Sequence, residues 1–301
     1  MTVTVLVPDD TGVAVLGELA GVRTLRYQSG EPLPAGAAEA EVLVPDFLSD
    51  SAAIPLAELP SLRLILTLTA GAEAWVDRLP PGVRLASARG AHGGSTAEWA
   101  VGVLLCIYRD LIAFEDARRA GTWSRHITDT LQGKRVLVVG AGDLGRQLVR
   151  RLSAFDATAT VVASTARDGV HGVDELPGLL GGHDAVVLMV PLTERTRGMV
   201  DAAFLAAMPD GAVLVNAARG AVVDTDALLA ELKSGRLRAA LDVTEPEPLP
   251  PDHPLWTVPG LLLTPHVGGS VHGHRDRAYE YVRAELLRYL AGELPINHVA
   301  G

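Results

Sequence analysis

The stretch Arg135-Val136-Leu137-Val138-Val139-Gly140-Ala141-Gly142-Asp143-Leu144-Gly145-Arg146-Gln147-Leu148-Val149-Arg150-Arg151-Leu152 decides the fold. The apolar run after Arg135 reads as a strand, and residues 146–152 carry apolar side chains at helical spacing. Between them lies G-x-G-x-x-G, the turn that joins strand to helix in dinucleotide-binding units. Gly140 permits the tight turn, Gly142 lets a pyrophosphate approach the backbone, and Gly145 lets the helix pack closely on the strand. Asp143 and Leu144 open that helix, whose free N–H groups suit an anion. In a chain with 31 glycines the pattern alone says little; the strand and helix around it make it a phosphate loop.

Working outward, strand patterns recur at residues 136–139, 160–163, 185–190, 212–216, 239–243 and 261–264, with helical segments between them. This alternation predicts an α/β fold with a doubly wound, Rossmann-type parallel sheet. Ahead of it, strand runs at 4–7, 41–44 and 62–68 and a helix over 13–20 predict a smaller, flavodoxin-like α/β domain. The apolar segment from Thr96 reads as a buried helix with Ser95 as its N-cap, and residues 275–290 read as a helix returning to the first domain. The expected division is a substrate domain over 1–94 and 272–301 and a dinucleotide-binding domain over 95–271, with a cleft between them.

With 301 residues the chain has room for two cores. A net charge of −10 and an aromatic share of 4% argue against a nucleic-acid partner. Cys106 is the only cysteine, so no internal disulfide is possible, and its apolar neighbours suggest a buried, inert thiol. The N-terminal apolar run is of strand length without a basic leader, and no segment approaches a membrane span, so a cytoplasmic, membrane-free protein is expected. His272 and His274 lack further ligands at metal-binding spacing, and no metal is expected.

The strand at 160–163 bears on cofactor choice. An NAD site normally ends this strand in Asp or Glu, which binds the ribose hydroxyls. Here the run is Ala163-Ser164-Thr165-Ala166-Arg167. Nothing repels a 2′-phosphate, and Ser164, Thr165 and Arg167 can donate to it. The reading favours NADP, with NAD as the alternative.

Three polar residues follow in separate short runs: Arg219 in Asn216-Ala217-Ala218-Arg219-Gly220, Glu247 in Asp242-Val243-Thr244-Glu245-Pro246-Glu247-Pro248, and His266 in Thr264-Pro265-His266-Val267-Gly268-Gly269. Singly they read equally well as an ion-pair residue, a solvated loop acid and a turn histidine. Together, at strand ends after a phosphate loop, they suit hydride chemistry. An arginine can grip a carboxylate, a histidine can exchange a proton, and a carboxylate can hold that histidine charged. Glu245 competes with Glu247 for the acidic role.

From about residue 62 to residue 297 the chain resembles the D-isomer-specific 2-hydroxyacid dehydrogenase family. The likeness is carried by Ala97-Glu98-Trp99, the glycine loop, Val190-Pro191-Leu192-Thr193 with Thr196, and the three runs just quoted. The resemblance implies that Arg219, Glu247 and His266 are catalytic, reducing a small 2-oxo acid such as glyoxylate or hydroxypyruvate or oxidising a D-2-hydroxy acid. It implies that Ala70 and Gly71, with Arg219 and His266, bind substrate. It places Thr96, Val190, Pro191, Thr196, Ala217, Asp242 and Gly268 at the cofactor, Asp242 near the nicotinamide amide. Arg89 and His92 could shape substrate choice and are not assigned to catalysis. A homodimer through the cofactor domains is implied, with the helix after Thr96 either an interface or ordinary core. Two alternatives stay open: phosphoglycerate oxidation with NAD, and a nucleotide-sensing binding protein of the corepressor type. Formate dehydrogenases, which resemble the family, place glutamine where Glu247 stands.

Overall fold

The computed structural model describes residues 2–47 and 51–301. Two compact units make up the chain, Met1–His92 with His272–Gly301, and Gly93–Val271. In the first unit β1 (Val3–Val7), β2 (Val22–Arg26), β3 (Val42–Leu43), β4 (Leu64–Leu66) and β5 (Arg84–Ala86) run parallel in the spatial order β5-β4-β3-β1-β2. This is the flavodoxin-like order. Side chains alternate across the sheet as a period of two requires: Val5, Val42 and Leu64 enter one core, while Leu6, Leu43 and Ile65 enter the other. The first helix, Asp10–Gly17, starts three residues before the expected position because Asp9 caps it, accepting from Gly12 N at 2.8 Å. The helix His274–Leu290 closes this unit's first core with Ala278, Tyr279, Val282 and Leu286.

In the second unit β6 (Arg135–Val139), β7 (Thr158–Ala163), β8 (His171–Gly172), β9 (Ala185–Leu188), β10 (Val213–Asn216), β11 (Arg238–Leu241) and β12 (Leu261–Leu263) form one parallel sheet. Its order is β12-β11-β10-β9-β6-β7-β8, so the winding reverses between β6 and β9. Ligands of such sheets bind outside the strand carboxyl ends at this switch point. Leu137 and Val139 point into one core and Val136 and Val138 into the other, all four almost fully buried. Truncating Leu137 to alanine should cost about 2–5 kcal/mol. A last strand, β13 (His298–Ala300), pairs antiparallel with β5 in the first sheet.

Two local expectations are corrected. The long apolar helix is Gly93–Tyr108, so Ser95 lies inside its first turn rather than capping it. One face of this helix carries Ala97, Ala100, Val101 and Leu104 into the core. Cys106 falls on the flank of that face and is half-buried, not buried. Among the described residues no helix is long and apolar enough to cross a membrane.

Candidate active site

The phosphate loop lies at the switch point. Gly140 sits at φ +126°, and a Cβ there would come 2.2 Å from Met189 O; a Cβ on Gly145 would come 1.9 Å from Gly140 O. Only glycine lets β6, its helix and the end of β9 approach this closely. Around Gly142, by contrast, a Cβ would meet nothing within 4 Å, so the mouth of the loop is open. Gly142 also caps the helix Asp143–Ser153 without a side-chain hydrogen bond, leaving the first-turn N–H groups available to an anion. Backbone, space and donors fit a dinucleotide pyrophosphate.

Next to the loop is a pocket of ≈ 470 Å³ whose lining includes Arg146, Arg150 and Arg167 and, among the described residues, no carboxylate. Arg146 Nη1 and Arg167 Nη2 converge on Ala141 O, each 3.5 Å away. Arg167 is presented by a tight turn, with backbone hydrogen bonds to Val170 of 2.9 and 2.8 Å in the two directions. Ser164 and Thr165 are exposed at the end of β7. Arg146 and Arg150 were not singled out from sequence. Their signal was the i, i+4 spacing on the loop helix, which places both on one face.

On the other side of the switch point, Val190 is half-buried where β9 ends, and Pro191 begins a turn closed by Thr196, whose hydroxyl donates to Pro191 O at 2.7 Å. Thr96 and Ala217 are buried, Ala217 donating its N–H to Leu188 O at 3.2 Å.

The three candidate catalytic residues all belong to the second unit. Asn216, fully buried at the end of β10, braces the Arg219 turn: its Oδ1 accepts from Ala218 N at 3.0 Å and its Nδ2 donates to Arg219 O at 2.9 Å. Arg219 is half-buried and its Nη1 donates to Ala218 O at 2.7 Å. The following residue locks that turn onto the acidic run, for a Cβ on Gly220 would sit 1.9 Å from Thr244 O.

Glu247 Oε1 lies 2.6 Å from His266 Nδ1. A carboxylate oxygen only accepts, so Nδ1 carries the proton and Nε2 is the ring nitrogen left to exchange one. The carboxylate against His266 is that of Glu247, not Glu245. His266 has φ +54°, and its N–H donates to Asp242 O at 2.7 Å. A left-handed backbone at a non-glycine residue costs about 1–3 kcal/mol and persists where surrounding bonds hold it. Both partners border a pocket of ≈ 340 Å³ that Asp242, Thr244, Leu249 and Trp256 also line. Asp242 itself is buried, and its carboxylate accepts from Val267 N at 2.9 Å and Gly268 N at 2.8 Å.

Residues 101–268 match the family model for the D-isomer specific 2-hydroxyacid dehydrogenase, NAD binding domain. The chain belongs to the D-isomer specific 2-hydroxyacid dehydrogenases. It is an oxidoreductase of that family, moving hydride between a nicotinamide dinucleotide and a 2-oxo or 2-hydroxy acid. Among family members, a glyoxylate reductase of Thermofilum pendens is 34% identical over 251 residues, covering 78% of this chain and 74% of that one. A D-3-phosphoglycerate dehydrogenase of Mycobacterium bovis is 33% identical over 93% of this chain, which spans 55% of that protein's length. The crystal structure of a D-isomer specific 2-hydroxyacid dehydrogenase from Xanthobacter autotrophicus Py2 in complex with NADPH and MES matches with a TM-score of 0.85 at 32% identity, covering 99% of this chain and 98% of that one.

In the first unit, Ala70 and Gly71 form a half-buried bend after β4, where Thr69 Oγ1 donates to Gly71 O at 2.6 Å. His92 is buried with Nε2 2.7 Å from Leu68 O, and Arg89 is engaged by Asn297, whose Oδ1 lies 3.2 Å from its Nη2.

Proposed function

We propose that this dehydrogenase reduces a small 2-oxo acid, of the glyoxylate or hydroxypyruvate type, with NADPH. The 2.6 Å contact between Glu247 and His266 carries the reading, because it leaves a proton donor with one nitrogen free. Arg219 pairs with the substrate carboxylate through its guanidinium and polarises the adjacent carbonyl. When bound beside the phosphate loop, the nicotinamide would supply the hydride for the carbonyl carbon. His266 gives its Nε2 proton to the carbonyl oxygen, and Glu247, accepting from Nδ1, orients the ring for that transfer. The neutral imidazole is then reprotonated by solvent, and in the oxidative direction it serves as the base.

NADPH is favoured over NADH by the arginines around Ala141 and by the absence of an acid at Ala163. Thr96, Val190, Pro191, Thr196, Ala217 and Gly268 complete the cofactor assignments, while Ala70 and Gly71 are assigned to the substrate on family resemblance.

A homodimer is proposed from the exposed apolar side chains beyond the long helix. Trp123 is 95% and Ile127 100% exposed, with Leu111 and Ile112 about half exposed. Four such residues in one short segment suit a subunit interface better than solvent. A cytoplasmic location is proposed from the same family reading.

The test is absorbance-monitored oxidation of NADPH and NADH with a panel of glyoxylate, hydroxypyruvate, pyruvate, phenylpyruvate and longer 2-oxo acids. Turnover of a small acid with NADPH supports the reading; tight nucleotide binding without turnover supports a sensing protein instead. The phosphoglycerate reading, which the M. bovis relative favours, calls for NAD-dependent oxidation of 3-phosphoglycerate.

A further inference from the structure

Outside the Arg219, Glu247 and His266 set, one chain of hydrogen bonds reaches the backbone of the proton donor. Trp99 Nε1, from the helix Gly93–Tyr108, donates to Thr264 Oγ1 at 3.1 Å. That hydroxyl donates to Asp242 Oδ1 at 2.6 Å. The same Oδ1 accepts from Val267 N, Oδ2 accepts from Gly268 N, and Asp242 O accepts from His266 N. An indole N–H can only donate and a carboxylate can only accept, so the direction of each link is fixed. Asp242 is 4% exposed, and its charge is met by donors on both oxygens.

We propose that Trp99, Thr264 and Asp242 form a brace that positions His266 for proton transfer. The inference rests on the reading of His266 as the proton donor. The turn places a non-glycine residue at positive φ between Pro265 and two N–H groups that need acceptors. Asp242 supplies those acceptors, and Thr264 with Trp99 holds its carboxylate in place. Removing the Thr264 hydroxyl takes away one donor to Oδ1 and leaves the indole N–H without its acceptor, so the carboxylate can rotate and His266 can drift from Glu247. These are positioning residues.

The experiment compares Thr264→Val, Thr264→Ser and Trp99→Phe with the wild-type enzyme. Three readouts are taken: kcat with hydroxypyruvate at saturating NADPH, the NADPH dissociation constant by fluorescence, and the downfield Nδ1 proton resonance of His266, assigned by its loss in His266→Asn. Thr264→Val is expected to lower kcat about 10- to 100-fold, the effect of a small misplacement of a catalytic group, and to shift or broaden the resonance. Trp99→Phe should act in the same direction by about threefold, and Thr264→Ser should restore both readouts while NADPH affinity stays within about twofold throughout. The brace is overturned if Thr264→Val keeps wild-type kcat and an unchanged resonance, or if it weakens NADPH binding with kcat at saturation intact, which would mark a cofactor contact. Restoration by Thr264→Ser separates the effect from misfolding. If the wild-type enzyme turns over no 2-oxo acid, the proposed function fails, and the resonance in wild-type and Thr264→Val protein still decides the brace.

Discussion

Glu247 Oε1 and His266 Nδ1 meet at 2.6 Å although 18 residues and β12 separate them in the chain. A side-chain pair so far apart in sequence forms because β11 and β12 are neighbours in the sheet and both loops leave their carboxyl ends on one side. The contact orients the imidazole and makes Nδ1 the donor to the carboxylate.

Replacing Glu247 with glutamine keeps the shape and removes the charge. Reductive kcat should fall on the order of 10- to 100-fold, because a charged hydrogen bond that orients the imidazole becomes a neutral one. Reductive kcat at saturating substrate and cofactor checks this. An unchanged kcat would remove Glu247 from the proton transfer.

Arg219→Lys keeps the charge and loses the planar fork. The kcat/KM for the 2-oxo acid should fall roughly 10- to 100-fold, about the worth of one charged hydrogen bond, while NADPH affinity holds. Steady-state kinetics with separate cofactor titration decides it. Equal losses for acid and cofactor would mean that the Asn216-braced turn had collapsed.

Arg146→Ala and Arg167→Ala test the cofactor pocket from two separate elements. Each should raise the KM for NADPH about tenfold or more and leave the KM for NADH unchanged, because only the 2′-phosphate carries the extra charge. If the arginines do not select the cofactor, both KM values will move together or not at all.

His92 ties stability to pH. Burial lowers its pKa below the ordinary 6.5, His274 and Arg277 push the same way, and the contact with Leu68 O opposes them. The folded state therefore binds the proton less well than the unfolded chain. The stability this gives is present above pH 6.5 and is lost as pH falls toward the lowered value. Thermal melts should show Tm falling from pH 7 to pH 5, with a shallower fall in His92→Gln. Parallel curves for the two proteins would rule out His92 as the source.

The second sheet was legible because its central strands are unbroken apolar runs and its glycine loop has a fixed grammar. Only the two-residue β8 has no pattern of its own there, being set by pairing with Val162 and Ala163. In the first unit β2, β5 and β13 were missed. β2 is a polar sheet-edge strand, with Arg23, Thr24 and Arg26 among its five residues, and β13 exists only through pairing with β5, more than 200 residues away. The helix at Gly93 starts on two glycines, which no propensity scale favours. At the site, residue types and order singled out Arg219, Glu247 and His266, but the brace through Trp99 and Thr264 depends on packing of a helix against the end of β12 and has no signature in the chain. Arg146 was overlooked for a related reason: a surface arginine becomes a pocket wall only when a second one faces it.

The most direct test supplies hydroxypyruvate with NADPH deuterated at nicotinamide C4 in the transferred position and examines the product by NMR and chiral analysis. One deuterium at C2 of D-glycerate is the expected result, since hydride from the cofactor and a proton from His266 add across the carbonyl. Product without deuterium at C2, product of the L configuration, or bound nucleotide that is never consumed would contradict it.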